Sequence, residues 1–187
     1  SMKWKAVSLV CVILLLVGCG KADTSVKQAV TMRNKLLEGN GCSFSATVTA
    51  DYGKEIYQFT MDCQSDKDGN ITFTVTTPET IRGITGRITG DGGAITFDDT
   101  VLAFQMLADG QVTPVSAPWL LVKTMRSGYL NGCSVAENGV KISIDDSYAE
   151  EALHLEILAN DLCPVSAEIY WQGRRVLTLL VESFTYL

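Results

Sequence analysis

Three kinds of hydrophobic patterning follow one another along this chain. Ala6 to Val17 is an almost unbroken apolar run. Val26, Ala29, Val30, Met32, Leu36 and Leu37 then recur at helical spacing, with Arg33 among them. Asp23-Thr24-Ser25 supplies N-cap residues in front of this helix, and Gly39-Asn40-Gly41 stops it. From residue 42 the period drops to two. Residues 42–51 and 54–63 alternate around Tyr52-Gly53, which predicts a hairpin with a two-residue loop. That register sets Phe44 against Met61, Ala46 against Phe59, Val48 against Tyr57 and Cys42 against Cys63. Ile71, Phe73 and Val75 alternate with threonines, and Pro78 closes their strand. Residues 80–90 carry Ile84 and Ile88. Ile95 and Phe97 follow the turn Asp91-Gly92-Gly93, and Leu102, Phe104 and Met106 come after them.

The alternation fails at Asp109-Gly110. Residues 116–127 then read as a helix, with Ser116 to cap it, Pro118 in its first turn and Gly128 at its end. Trp119, Leu121, Val122 and Met125 form its apolar side, and Lys123, Thr124 and Arg126 are expected to face outward. Strand patterns return at Val140, Ile142 and Ile144, at Leu153, Leu155 and Ile157, and at 165–171 with 174–186 around Gln172-Gly173. The last strand is apolar on both faces, which predicts a covered, central position. The layout is one helix, about six strands, a helical insert and four more strands. Successive hairpins imply an antiparallel sheet, and one this long must curl. No linker or repeat divides the chain.

The apolar run at the start has the form of a targeting segment. Lys3 and Lys5 precede twelve residues that suit a signal-peptide core and fall short of the about 20 needed to span a bilayer. The run ends in Leu16-Val17-Gly18-Cys19, which resembles the lipobox of bacterial lipoproteins. The resemblance implies a signal peptide over residues 1–18, diacylglycerol on the Cys19 sulfur, and a tether over 19–23 ahead of a domain at 24–187. Two or more acyl chains hold a protein on a membrane stably. The chain left after cleavage carries 13 basic and 21 acidic residues, net −8. Such a charge argues against nucleic acid as a partner. It also leads us to expect a domain that stands off anionic headgroups.

Outside the cytoplasm the remaining cysteines, Cys42, Cys63, Cys133 and Cys163, are candidates for disulfides. The hairpin register favours Cys42–Cys63 and leaves Cys133 to Cys163, each bridge being worth about 3 kcal/mol. No Cys-x-x-Cys pair favours the alternative of a metal.

Further residues carry a family resemblance. These are Phe44-Ser45-Ala46 after a capped helix, Pro78-Glu79-Thr80-Ile81-Arg82 at a strand end, and Asp91-Gly92-Gly93 before Ile95 and Phe97. A proline-bearing insert at 114–127 follows, and the chain closes on Cys163-Pro164-x-x-Ala167-Glu168-Ile169 with Gly173 and an apolar final strand. In this order they resemble the lipoprotein-localisation (LolA/LolB-like) family. The resemblance implies an α+β fold: an incomplete antiparallel β-barrel whose concave face is covered by an N-terminal helix and a helical lid. It also implies that this concavity takes an acyl chain. The arginine that carriers of this family hold on an early strand has no counterpart between Cys42 and Cys63.

The candidate cavity residues are Phe44, Val48, Tyr57, Phe59, Met61, Phe73, Ile95, Phe97, Phe104 and Met106, with Trp119, Leu121 and Met125 from the lid. Aromatic and methionine side chains suit an adaptable apolar pocket and suit a plain core equally. Other candidates have ordinary explanations. His154 belongs to the solvent side of a strand. Asp66-Lys67-Asp68-Gly69-Asn70 lacks the ligand spacing of a calcium loop. Gly83, Gly86 and Gly90 match no phosphate-binding pattern. The acidic pairs Asp98-Asp99, Asp145-Asp146 and Glu150-Glu151 lie in polar turns. No nucleophile has a base nearby, and no cofactor is implied. Two readings stand: a membrane-anchored lipoprotein that binds a lipid or lipoprotein acyl chain for transfer or sensing, and a non-enzymatic envelope scaffold that recruits a protein partner.

Overall fold

The computed structural model describes residues 24–89, 95–97 (backbone) and 107–187. Helix α1 covers residues 24–38. Ten strands follow as one antiparallel sheet: β1 Cys42–Asp51, β2 Ile56–Ser65, β3 Ile71–Thr77, β4 Thr85–Ile88, β5 Ile95–Phe97, β6 Tyr129–Ala136, β7 Gly139–Asp145, β8 His154–Asn160, β9 Cys163–Trp171 and β10 Arg174–Tyr186. Helix α2, Ala117–Ser127, lies between β5 and β6 in sequence. The strand order is β5-β4-β3-β2-β1-β10-β9-β8-β7-β6. The two ends, β5 and β6, do not pair, so the sheet stays open and is a half-barrel. This is the α+β architecture expected above. Phe104 and Met106 lie outside the described residues, as do Cys19 and the segment before it.

One face of the sheet holds the core. The odd-even alternation of β1 buries Cys42, Phe44, Ala46, Val48 and Ala50 and leaves Ser43, Ser45, Thr47 and Thr49 half-exposed. The same rule buries Phe59 and Met61, Ile71, Phe73 and Val75, Ile142 and Ile144, and Leu155 and Ile157. Helix α1 adds Met32 and Leu36, and α2 adds Leu120, Leu121, Val122 and Met125. Burying a side chain of this size is worth about 1.5–3 kcal/mol, so the helices are held chiefly by this packing. The opposite face is hydroxyl-rich, with the Thr47 and Thr60 hydroxyls 3.0 Å apart across two strands.

Several expectations need correction. The first hairpin closes with residues 52–55, not with two residues. Asp51 folds back to accept the Gly53 amide at 2.7 Å, and the Tyr52 amide donates to Glu55 O at 2.9 Å. The register therefore slides by two: Cys63 faces Phe44, and Cys42 faces Ser65. Cys42, Cys63, Cys133 and Cys163 are all free thiols. Residues 80–90 do not make one long strand. A 3-10 turn at Glu79–Ile81 precedes the short β4. Five strands, not four, follow α2, because β6 has no alternation to betray it. It is an edge strand whose residues are half-exposed or exposed throughout. β10 is central as expected, but it is not covered on both sides. A bulge between Arg175 and Leu177 buries Val176 and Leu177 in succession, while Leu180 is 54% exposed on the far face.

Candidate functional site

The concave face is closed by two helices that clasp each other through arginines. Arg33 of α1 donates from Nε to Met125 O at 2.9 Å, and from Nη2 to Gly128 O at 2.7 Å and Thr124 O at 3.2 Å. These carbonyls end α2, where the helix dipole favours a cation. Arg126 of α2 replies from Nη1 to Leu36 O at 3.3 Å, near the end of α1, and to Lys67 O at 3.0 Å. Burial pulls the Arg33 guanidinium below its ordinary pKa. Thr124, expected to face outward, is fully buried and returns its hydroxyl to Leu120 O and Leu121 O.

Beneath this clasp runs an apolar crevice lined by Ala29, Val30, Met32, Met125, Leu130, Ile142, Ile144 and Ile157, with Arg33 at its edge. Its free volume is about 30 Å³, the space of about one water molecule. Val30 and Leu130, at the rim, are 46% and 37% exposed. The crevice is thus an apolar seam between α1, α2 and strands β6–β8. A larger trough of about 930 Å³ lies on the other face of the sheet, among Ser43, Asp62, Thr72, Thr74, Thr85 and Arg87. Hydroxyls, amides and charges make up most of its lining, with Phe44, Cys63 and Phe73 at its floor, and such a polar wall does not suit an acyl chain.

The sequence-derived cavity set divides on inspection. Phe44, Val48, Phe59, Met61, Phe73, Leu121 and Met125 share the inner face and are packed there as core. Of these only Met125 also borders the crevice. Tyr57 is 46% exposed, and its hydroxyl donates to Glu55 at 2.6 Å. β3 ends opposite Thr60, so Tyr57 lies on a part of β2 flanked by β1 alone. Trp119 is half-buried and faces Lys123, whose ammonium lies 5.0 Å from the ring centre. Ile95 and Phe97 lie on β5, whose side chains are outside the described residues.

Sequence reading missed Ala29, Val30, Met32, Arg33, Leu130, Ile142, Ile144 and Ile157 as site residues. Val30 and Arg33 sat in the helical pattern, and the isoleucines in the strand patterns, without a sign that these elements meet. The seam joins residues about a hundred positions apart in the chain.

His154 lies across from Asp145 on β7 and is flanked by two carboxylates, with Asp145 Oδ1 at 2.7 Å from Nδ1 and Glu156 Oε1 at 2.8 Å from Nε2. Burial opposes the charge on this imidazole, but the bonds and charges of Glu156 and Asp145 prevail and raise its pKa. The Asp66–Asn70 segment is a turn tied by its own carboxylate, which accepts the amides of Asp68 and Asn70 at 2.9 and 3.0 Å. Among the described residues no three His, Cys, Asp or Glu side chains are placed to hold a metal ion. Among them, too, no helix is long and apolar enough to cross a membrane.

No protein-family model matches the chain, and no curated protein does. Solved structures do. The chain is similar to an uncharacterized conserved protein of Thermus thermophilus at 15% identity and TM-score 0.44, over 87% of this chain and 88% of that one. It is similar to the MucB of the Pseudomonas aeruginosa MucA/MucB complex at 12% identity and TM-score 0.41, over 84% of this chain and 56% of that one. A LolA superfamily protein of Nitrosomonas europaea is similar at 10% identity and TM-score 0.42, over 89% of this chain and 94% of that one.

Proposed function

We propose that this chain is a lipid-anchored extracytoplasmic protein that takes one acyl chain of a lipid or lipoprotein into the seam between α1 and α2. The observation that carries this reading is the crevice. It is lined by aliphatic and methionine side chains with Arg33 at its edge, lies on the concave face of an open sheet, and is shut by hydrogen bonds between helices and not by a continuous chain. An apolar ligand gains about 25 cal/mol for each Å² it removes from water, and methionines at 32 and 125 adapt to its shape. At about 30 Å³ the seam is the closed form. Entry of the ligand requires α1 and α2 to part, and the bonds of Arg33 and Arg126 are what must break. The Cys19 lipid holds the seam within reach of membrane lipids.

Titration of a fluorescent fatty acid into wild type and Leu130→Glu tests the reading. Leu130 is at the exposed rim, so the variant is expected to fold. Its affinity is expected to fall at least tenfold. Equal affinity in the two proteins would place the ligand elsewhere.

A further inference from the structure

The acidic balance of the chain hides an uneven distribution. The helical layer, residues 24–38 and 114–128, carries Lys27, Arg33, Lys35, Lys123 and Arg126 against Glu38 alone. The acidic residues of the described chain sit mostly on the sheet and its turns. On α1, along the edge of the seam, Val26, Val30 and Leu37 are 40%, 46% and 50% exposed. They fall along one stripe of the helix, since 26, 30 and 37 recur at nearly whole turns. Exposed Lys27 stands beside this stripe. On α2, Trp119 is half-buried with Lys123 over its ring, an amphipathic pairing suited to the boundary between headgroups and acyl chains.

We infer that the helical layer is a membrane-docking face, with α1 and α2 lying against an anionic bilayer surface. This rests on the proposed anchor at Cys19. Thr24 follows Cys19 by five positions, a reach of at most about 17 Å. A lipid on Cys19 therefore keeps the start of α1 close to the headgroups, and Val26 is within one turn of that start. Lysines near such a surface are attracted to it, while the acidic sheet is repelled and turned to the solvent. The domain then does not stand off the membrane as its net charge alone suggests. The Val30–Leu130 rim of the seam faces the bilayer, so an acyl chain enters without crossing water.

The test uses the lipidated chain in vesicles of phosphatidylcholine and phosphatidylglycerol with brominated acyl chains. In a Trp119→Phe, Trp171→Phe background, Val26→Trp reports on the helical layer and Leu180→Trp, 54% exposed on the hydroxyl face of the sheet, reports on the far side. Val26→Trp emission is expected to fall at least twofold against unbrominated vesicles, and Leu180→Trp emission to stay unchanged. Lys27→Glu with Lys123→Glu is expected to relieve the quenching, with a loss of about fivefold in surface affinity for each lysine removed. Equal quenching at positions 26 and 180, or none at either, overturns the docking face. Flotation with pure phosphatidylcholine vesicles tests the anchor separately. A chain that fails to float there has no lipid anchor, and the docking face then stands only if anionic vesicles still quench position 26.

Discussion

Arg33→Gln is the perturbation that separates a closing clasp from a passive brace. The guanidinium makes three charge-assisted bonds, at 2.7, 2.9 and 3.2 Å, to the carbonyls that end α2. A bond to a charged group is worth about 1.5–3 kcal/mol, and a partly buried cation at a helix C-terminus up to about 2 kcal/mol. These overlap, since one group makes all three. Thr124 O also keeps the Gly128 amide at 2.8 Å, and Arg33 is only half-buried. The net loss is about 2 kcal/mol, or about 4–8 °C in Tm for a domain of this size. If those bonds act only in the closed form, the same 2 kcal/mol raises the open population about 30-fold and tightens the apparent affinity for an apolar ligand in proportion. Urea unfolding gives the first number, and titration with N-phenyl-1-naphthylamine well below the transition gives the second. Arg33→Lys is expected to behave like Arg33→Gln, because a single ammonium cannot fork between three carbonyls. Loss of stability without a gain in probe affinity would show that the clasp braces the fold and gates nothing. No loss of stability would show that water serves the α2 carbonyls equally well.

Three further outcomes follow from the structure. His154 has a raised pKa, so its bonds to Asp145 and Glu156 stabilise the fold fully below its unfolded pKa of about 6.5, and this contribution is lost as pH rises through the folded value. Screening of a third-exposed side chain limits the effect to under about 1 kcal/mol, and the difference between wild type and His154→Gln in urea midpoint should shrink from pH 5.5 to pH 9. Gly86→Ala would place a methyl 2.4 Å from Phe73 Cζ and 2.7 Å from Cε1, so it should destabilise by about 1–3 kcal/mol in thermal melts, with Phe73→Leu restoring part of the loss. Burial pushes the Cys42 thiol up to about 12 and raises Cys63 as well, so iodoacetamide at pH 8 should modify the half-exposed Cys133 and Cys163 well before either, as read by peptide mass spectrometry.

The sheet was legible where one face of a strand meets the core. Phe44, Ala46, Val48, Phe59, Met61, Phe73 and Val75 alternate with polar residues, and each falls on the buried side. What failed was set by local or distant partners that periodicity does not encode. The Asp51 carboxylate binds the Gly53 amide and lengthens the first loop, which moves the register by two and undoes the Cys42–Cys63 opposition. A shift by two keeps every side chain on its face, which is why the core was still read correctly. Strand β6 lies at an edge, and its residues are exposed or half-exposed on both faces, so little pattern is imposed on it. Arg33 read as a polar interruption of an amphipathic helix. Its meaning depends on α2 carbonyls about ninety residues away, which only the folded chain brings within 3 Å.

Photolysis of a diazirine-bearing fatty acid added to the protein, followed by peptide mapping, asks where an acyl chain goes. Adducts on Met32, Met125, Leu130 and Ile144, more abundant in Arg33→Gln than in wild type, are the result expected of a seam that opens between two helices. Adducts scattered over the hydroxyl face of the sheet, or absent at saturating ligand in both proteins, would mean that the concave side is a filled core and that the chain does not hold lipid there.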